Sequence, residues 1–259
     1  MSLRGRRHRD GEVILREAAR RVSPWTRRLF LRNAIGLGTL TVLGGCDVVD
    51  GQSAERMLSQ VSDFNDRVQA WLFNPERLAR EYPEQAITRP FPFNSFYVPN
   101  SPEKAPAIDV ANWVLDISGR VERKDGWTYD QLKALPQFTQ ITRHICIEGW
   151  SAIGKFTGVR LSEFLRAIGA DLSARYVTFR CDDRYVTSID MASALAPQTQ
   201  LTLGFDGGPL PREHGFPLKL RIPTKLGFKN PKHIGEIEVG NDYTGGYWET
   251  YGYNWFSGL

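Results

Sequence analysis

An α+β fold is predicted for this chain. Runs of alternating apolar residues are short and bounded by Gly, Pro and Asp, the helical patterns between them are equally short, and the two do not alternate regularly, which argues against a parallel α/β sheet. At 259 residues and 41% hydrophobic content the chain has ample material for a core. No internal repeat or low-complexity tract interrupts it.

The first 46 residues read as a targeting segment outside the fold. Thr26-Arg27-Arg28-Leu29-Phe30-Leu31-Arg32 precedes a Gly-rich apolar run to Gly45 that is too short for a stable membrane-spanning helix. The arrangement resembles a twin-arginine export signal, which implies a periplasmic protein that folds, with any cofactor, before export. Leu43-Gly44-Gly45-Cys46 resembles a lipobox, in which Cys46 would carry a lipid; ordinary cleavage or an uncleaved anchor is the alternative.

Residues 47–88 read as an N-terminal helical arm. Met57, Val61, Phe64, Val68 and Trp71 are spaced as the apolar stripe of an amphipathic helix, expected to pack on the body, with a membrane-surface or partner role as the alternative. Asn74-Pro75 is expected to start a second short helix. The main domain is placed at 89–259. It opens with Arg89-Pro90-Phe91-Pro92-Phe93-Asn94-Ser95-Phe96-Tyr97-Val98-Pro99, which its three prolines make extended.

Beyond a Pro-rich boundary at 100–107, strands are expected at 113–121, 138–147, 175–181, 185–189, 201–205, 217–222 and 234–239. Helices are expected at 129–135 and 161–168, with another capped by Asp190. Asp206-Gly207-Gly208 is a turn signal, and the aromatic, Gly-rich tail at 241–259 is an irregular arm that either packs on the body or covers a pocket.

Net charge is +4, yet it resides in the leader: residues 1–46 hold ten arginines against three acids, leaving 23 basic and 26 acidic residues beyond. A slightly acidic body gives no support for nucleic-acid binding. The three cysteines, Cys46, Cys146 and Cys181, form no CxxC or CxxCH, which excludes a zinc ribbon, a thioredoxin motif and attached c-type haem. A Cys146–Cys181 disulfide is the minor alternative to free thiols.

Chemistry concentrates at Arg143-His144-Ile145-Cys146-Ile147-Glu148-Gly149-Trp150-Ser151. A lone cysteine at the end of a strand, on the same face as His144 and Glu148 by strand alternation, is expected to be activated by Arg143, His144 and Lys155. A soft thiolate serves either as nucleophile or as ligand to a thiophilic metal. Downstream, His214-Gly215-Phe216-Pro217 with Lys219 and Arg221, then Gly227-Phe228-Lys229-Asn230-Pro231-Lys232, gather cations around turns that suit an anionic group.

In this order, Cys-x-Glu-x-Trp-Ser, Leu-x-Glu-Phe-Leu, Gly-Gly-x-Leu-Pro, His-Gly-x-Pro and Gly-Phe-Lys resemble the sulfite oxidase superfamily of molybdopterin enzymes, from about Asn94 to the last strand. The resemblance implies that fold, without room for a C-terminal dimerisation domain, and hence a monomer. It implies molybdenum–molybdopterin as cofactor, with no haem in the chain, and Cys146 as the protein ligand to molybdenum. Asn94, Tyr97, Val98, Arg143, His144, Cys181, His214 and Lys219 are implied around the cofactor, Asn230, Pro231 and Lys232 at its phosphate end, and Glu148 beside the metal. Cys181, His214 and Lys219 stand where the sulfoxide-reducing branch has threonine, asparagine and arginine.

The implied activity is oxygen-atom transfer, reducing small-molecule or protein S-oxides or N-oxides with electrons from a membrane b-type cytochrome or a soluble cytochrome c. Oxidation of sulfite or a similar anion is the runner-up. A Cys146–His144 transferase or hydrolase and a cofactor-free binding lipoprotein are the alternatives from other classes.

Overall fold

The computed structural model describes residues 60–61, 64–65, 67–69, 71–74, 76–94 and 105–259. The leader, Cys46, Met57, Tyr97 and Val98 therefore lie outside the described residues. Val61–Leu259 forms one compact unit.

Two five-stranded sheets share one apolar core. The first has the order β2 (Trp127–Thr128), β1 (Val114–Gly119), β10 (Ile234–Gly240), β5 (Tyr176–Cys181), β6 (Val186–Asp190), with β1 and β10 parallel and the other neighbours antiparallel. The second runs β3 (Phe138–Ile145), β4 (Ser151–Arg160), β7 (Gln200–Phe205), β8 (Gly208–Pro209), with β9 (Lys219–Arg221) also paired to β7. Inward residues of both sheets, including Leu115, Phe179 and Ile237 from the first and Leu201, Leu203 and Leu220 from the second, belong to the same buried cluster. Each such side chain contributes about 1.5–3 kcal/mol of burial, so the sheets stabilise one another.

Three short helices are set by local chemistry. Helix α1 (Tyr129–Ala134) begins in a reciprocal capping box, in which Thr128 Oγ1 accepts from Gln131 N at 3.3 Å and Gln131 Oε1 accepts from Thr128 N at 2.8 Å. Helix α2 (Leu161–Ala167) follows β4 directly and buries Leu161, Phe164 and Leu165. Helix α3 (Met191–Leu195) is capped as expected by Asp190, whose side chain accepts from Ser193 N at 2.8 Å.

Strand β4 is absent from the sequence expectations. Its inward positions are Ala152, Gly154, Phe156 and Gly158, so two glycines blur the apolar alternation. They are required by close approach: a Cβ at Gly158 would lie 1.9 Å from Leu201 O, and one at Gly154 would lie 2.9 Å from the Phe91 ring. Residues 138–145 form the long hairpin partner of β4, and the strand expected to run to 147 ends at Ile145.

The N-terminal part departs from expectation twice. Asn74 holds a single turn, its Oδ1 accepting from Glu76 N at 2.9 Å and its carbonyl from Arg77 N at 3.0 Å, and no second helix follows among the described residues. The stripe expected to pack on the body is instead exposed at Val61, Phe64 and Trp71. Farther on, Tyr82 N donates to Ile141 O and Thr88 N to Ile153 O, tying 81–88 along the β3–β4 hairpin. No described helix is long and apolar enough to cross a membrane.

Candidate active site

Strand alternation along β3 turns Gln140, Thr142 and His144 inward, and Cys146, one residue past the strand, continues that face at 4% exposure. The chain then reverses: Cys146 N donates to Trp150 O at 2.8 Å, Gly149 N donates to Cys146 O at 3.3 Å, and Gly149 takes φ +90°. Two donors point at the sulfur, one from this turn and one from the extended arm. Asn94 Nδ2 lies 3.2 Å from Cys146 Sγ and Glu148 N lies 3.5 Å from it.

Burial pushes the Cys146 thiol above its ordinary value, and the Glu148 amide and Lys232 only partly offset this. The cations expected to activate it do not do so. Arg143 is on the opposite face of β3, exposed and stacked over Tyr82 at 5.4 Å, and Lys155 pairs with Glu84 at 2.8 Å. His144 is held well below its ordinary value by burial and by Lys219, Arg221 and Lys232, so its ring is neutral. A cysteine nucleophile needs the reverse pattern, which disfavours the transferase or hydrolase alternative.

Of the expected residues, Asn94, His144, Glu148, Lys219, Asn230, Pro231 and Lys232 line one cavity beside Cys146. Glu148 is exposed and accepts from Trp150 Nε1 at 3.2 Å. Lys232 donates to Glu213 O at 2.8 Å and to Asn94 O, and burial pulls its pKa down to about 8. Lys219 is 4% exposed, and its ammonium makes no hydrogen bond or ion pair among the described residues.

Three other expected residues, Arg143, Cys181 and His214, stand apart from this wall. Arg143 contributes its carbonyl, which accepts from Arg221 Nη2 at 2.7 Å, while its side chain points away from the site. Cys181 lies in the apolar cluster at the end of β5 as a free thiol, as Cys146 is also free, and it does not line the cavity. Asn230 lines the cavity and also braces its wall: its Oδ1 accepts from Arg221 Nη1 and Ile222 N, and one N–H of its Nδ2 donates to Leu226 O at 3.1 Å. His214 stands behind the cavity wall among Phe91, Phe93 and Phe205.

Sequence reasoning missed Tyr185 and Trp248 in the cavity wall; Gly227, in a turn expected to suit an anion, lines it, and Arg221, expected among the cations there, stands behind it. Arg221 is fully buried, donates to Thr142 Oγ1, Arg143 O and Asn230 Oδ1, and stacks over Phe156 at 4.9 Å. Trp248 belongs to the aromatic tail, whose pocket-covering role was an open alternative. That tail is fixed by Lys229, a residue expected to bind an anion: its Nζ instead pairs with Glu249 and donates to Ser188 O at 3.0 Å.

The oxidoreductase molybdopterin-binding domain family matches residues 102–248. This chain belongs to that family. A protein of Azospira oryzae, named provisionally as protein-methionine-sulfoxide reductase subunit YedZ1, is 53% identical over 253 residues, 96% of this chain and 95% of its own. The protein-methionine-sulfoxide reductase catalytic subunit MsrP of Xanthomonas campestris is 32% identical over 166 residues, 56% of this chain and 52% of its own. The sulfane dehydrogenase SoxCD of Paracoccus pantotrophus shares the fold at a TM-score of 0.51 and 19% identity, over 54% of this chain and 41% of its own. The protein is thus a molybdopterin-binding oxidoreductase with the sulfite-oxidase-type fold.

The residues of this molybdopterin-binding oxidoreductase fit such a group. Among the described residues no three His, Cys, Asp or Glu side chains converge, so a metal at Cys146 must arrive with other ligands of its own. The wall offers what an anionic organic group needs: the Lys219 ammonium, with no side-chain partner among the described residues, and a buried His144 Nδ1 without a hydrogen-bond partner.

The histidines make the cofactor-free oxidoreductase acid-sensitive. Burial, reinforced by Lys219 and Lys232, lowers His214 to about 3, and burial lowers His233 to about 4. Both stay neutral in the folded protein while the unfolded chain takes up protons below about 6.5, so stability is full above that value and falls toward the folded pKa values. Each histidine contributes a loss on the order of 2–3 kcal/mol by about pH 4, readable in urea unfolding, and His233→Asn flattens the profile. A flat wild-type profile would contradict this.

Proposed function

We propose that this oxidoreductase is the catalytic subunit of an exported S-oxide reductase, with Cys146 as the protein ligand to molybdenum. The observation that carries the reading is the buried Cys146 thiol, held by two hydrogen-bond donors beside a cation-lined cavity. The name and 53% identity of the Azospira relative support sulfoxide as the substrate class. When bound, molybdenum–molybdopterin supplies a two-electron centre that exchanges an oxygen atom with substrate.

The chain's own residues position and tune. Asn94 Nδ2 and the Glu148 amide steady the sulfur in its anionic form, to which hydrogen bonds are stronger than to the thiol. Lys219 and Lys232 compensate negative charge brought into the cavity. Arg221 and Asn230 fix the backbone of the wall through their mutual bond. Glu148, exposed at the mouth, is placed to exchange protons with solvent as a sulfoxide takes up two electrons and two protons to give sulfide and water.

In this reading the twin-arginine-like leader directs export to the periplasm, with Cys46 or an uncleaved signal as a membrane anchor. Electrons come from a membrane b-type cytochrome, or otherwise from a soluble cytochrome c. The unpartnered Lys219 also favours a small oxyanion, which keeps sulfite oxidation as the second reading. Holoprotein assayed with a reduced dye and methionine sulfoxide, and with an oxidised dye and sulfite, separates the two. Turnover of the sulfoxide is expected; turnover of sulfite alone would overturn the first reading.

A further inference from the structure

We propose that the face carrying Phe64, Trp71, Leu78, Arg77, Arg80 and Arg143 docks on an anionic phospholipid bilayer, lying on it without spanning it. Val61, Phe64, Val68 and Trp71 recur at helical spacing on one face, and that face looks to solvent: Trp71 is 81% exposed and Phe64 64%. Leu72 and Leu78 are exposed beside them. A helix that presents tryptophan and aliphatic side chains outward has the pattern of an interfacial element.

The adjoining surface carries the charge. A cavity of about 510 Å³ is lined by Arg77, Arg80 and Arg143 together with Leu72, Phe73 and Leu78. The Arg80 and Arg143 guanidinium groups both lie over the Tyr82 ring, at 5.0 and 5.4 Å. None of the three arginines pairs with a carboxylate among the described residues. Two guanidinium groups on one ring repel each other, and an anion between them relieves that repulsion. Unpaired arginines next to exposed apolar side chains match a headgroup phosphate with its acyl chains, a charge and shape complement that a soluble anion supplies only in part.

The position also suits the oxidoreductase. Arg143 and Ile145 occupy the face of β3 opposite His144 and Cys146, so docking there leaves the cavity beside Cys146 uncovered. Neither molybdenum nor substrate takes part in this docking.

The test is flotation of the full chain with vesicles of phosphatidylcholine, alone or mixed with phosphatidylglycerol, combined with quenching by brominated lipid compared between wild type and Trp71→Phe. Binding is expected to require phosphatidylglycerol, to weaken with salt, and to quench a signal that Trp71→Phe lacks. Arg77→Gln with Arg80→Gln is expected to weaken binding roughly twenty- to thirtyfold at about fivefold per arginine, while lysine at both positions retains most of it. Thermal melting confirms that the variants fold. Equal binding to neutral vesicles, no quenching at Trp71, or unchanged binding of the glutamine variant would overturn the proposal. A dimer abolished by the same substitutions, with no vesicle binding, would assign the face to a second copy and overturn it equally.

Discussion

Cys146→Ser lowers turnover to the level of the cofactor-free protein and leaves the fold intact. Serine matches cysteine in size, and the turn that holds position 146 is made by backbone groups, with Cys146 N bonded to Trp150 O and Gly149 N to Cys146 O. The stability cost is therefore about 1 kcal/mol or less. The chemical cost is much larger, because a serine hydroxyl stays protonated and offers a hard oxygen where a soft metal ligand is needed. Dye-linked turnover and near-ultraviolet circular dichroism, measured together, check both parts. Activity comparable to wild type would remove Cys146 from the metal.

Lys219→Met is the second large effect, and it has opposite signs in the two forms of the protein. In the cofactor-free oxidoreductase Lys219 is a buried cation without a described partner, and burial drives its pKa well below the ordinary lysine value. An apolar side chain of similar length removes that penalty, so the cofactor-free protein gains about 1–3 kcal/mol. With a melting temperature that moves about 2–4 °C per kcal/mol at this size, the gain is readily measured. In the holoprotein the same substitution removes a charge that compensates the cofactor, and molybdenum retained through gel filtration falls. A variant that is less stable without cofactor and equally loaded would show that Lys219 serves the fold alone.

Both effects rest on a site that was only partly legible in the sequence. The turn at Cys146, the caps at Thr128 and Asp190, and most strands carry local signals: alternation, a capping residue, or a glycine where φ is positive. Strand β4 carries none, because two of its inward positions are glycine, Gly158 against the β7 backbone and Gly154 against the Phe91 and Phe156 rings. Arg143 could have been set aside from alternation alone, since residues 143 and 144 on a strand face opposite ways. Its nearness in sequence to Cys146 outweighed that signal.

Other roles depend on partners that sequence does not display. Asn230 and Lys229 lie in a loop that reads as a cradle for an anion, yet Asn230 braces Arg221 and Lys229 pins Glu249 of the aromatic tail. Lys219 and Lys232 look alike in the sequence, but Lys232 is bound to two carbonyls and Lys219 to nothing described. The distinction between a cation that holds the fold and one that awaits a ligand emerges only from the hydrogen-bond accounting. The exposed stripe at Val61, Phe64 and Trp71 was expected to pack on the body because periodicity identifies an apolar face without saying what covers it.

The most direct test of the central claim is molybdenum-edge X-ray absorption on holoprotein from a host that makes molybdopterin, with Cys146→Ser alongside. Near-stoichiometric molybdenum in wild type, with one sulfur scatterer fewer in the metal shell of the variant, is the result expected. An identical sulfur shell in both proteins, or wild type without molybdenum, would contradict the assignment of Cys146.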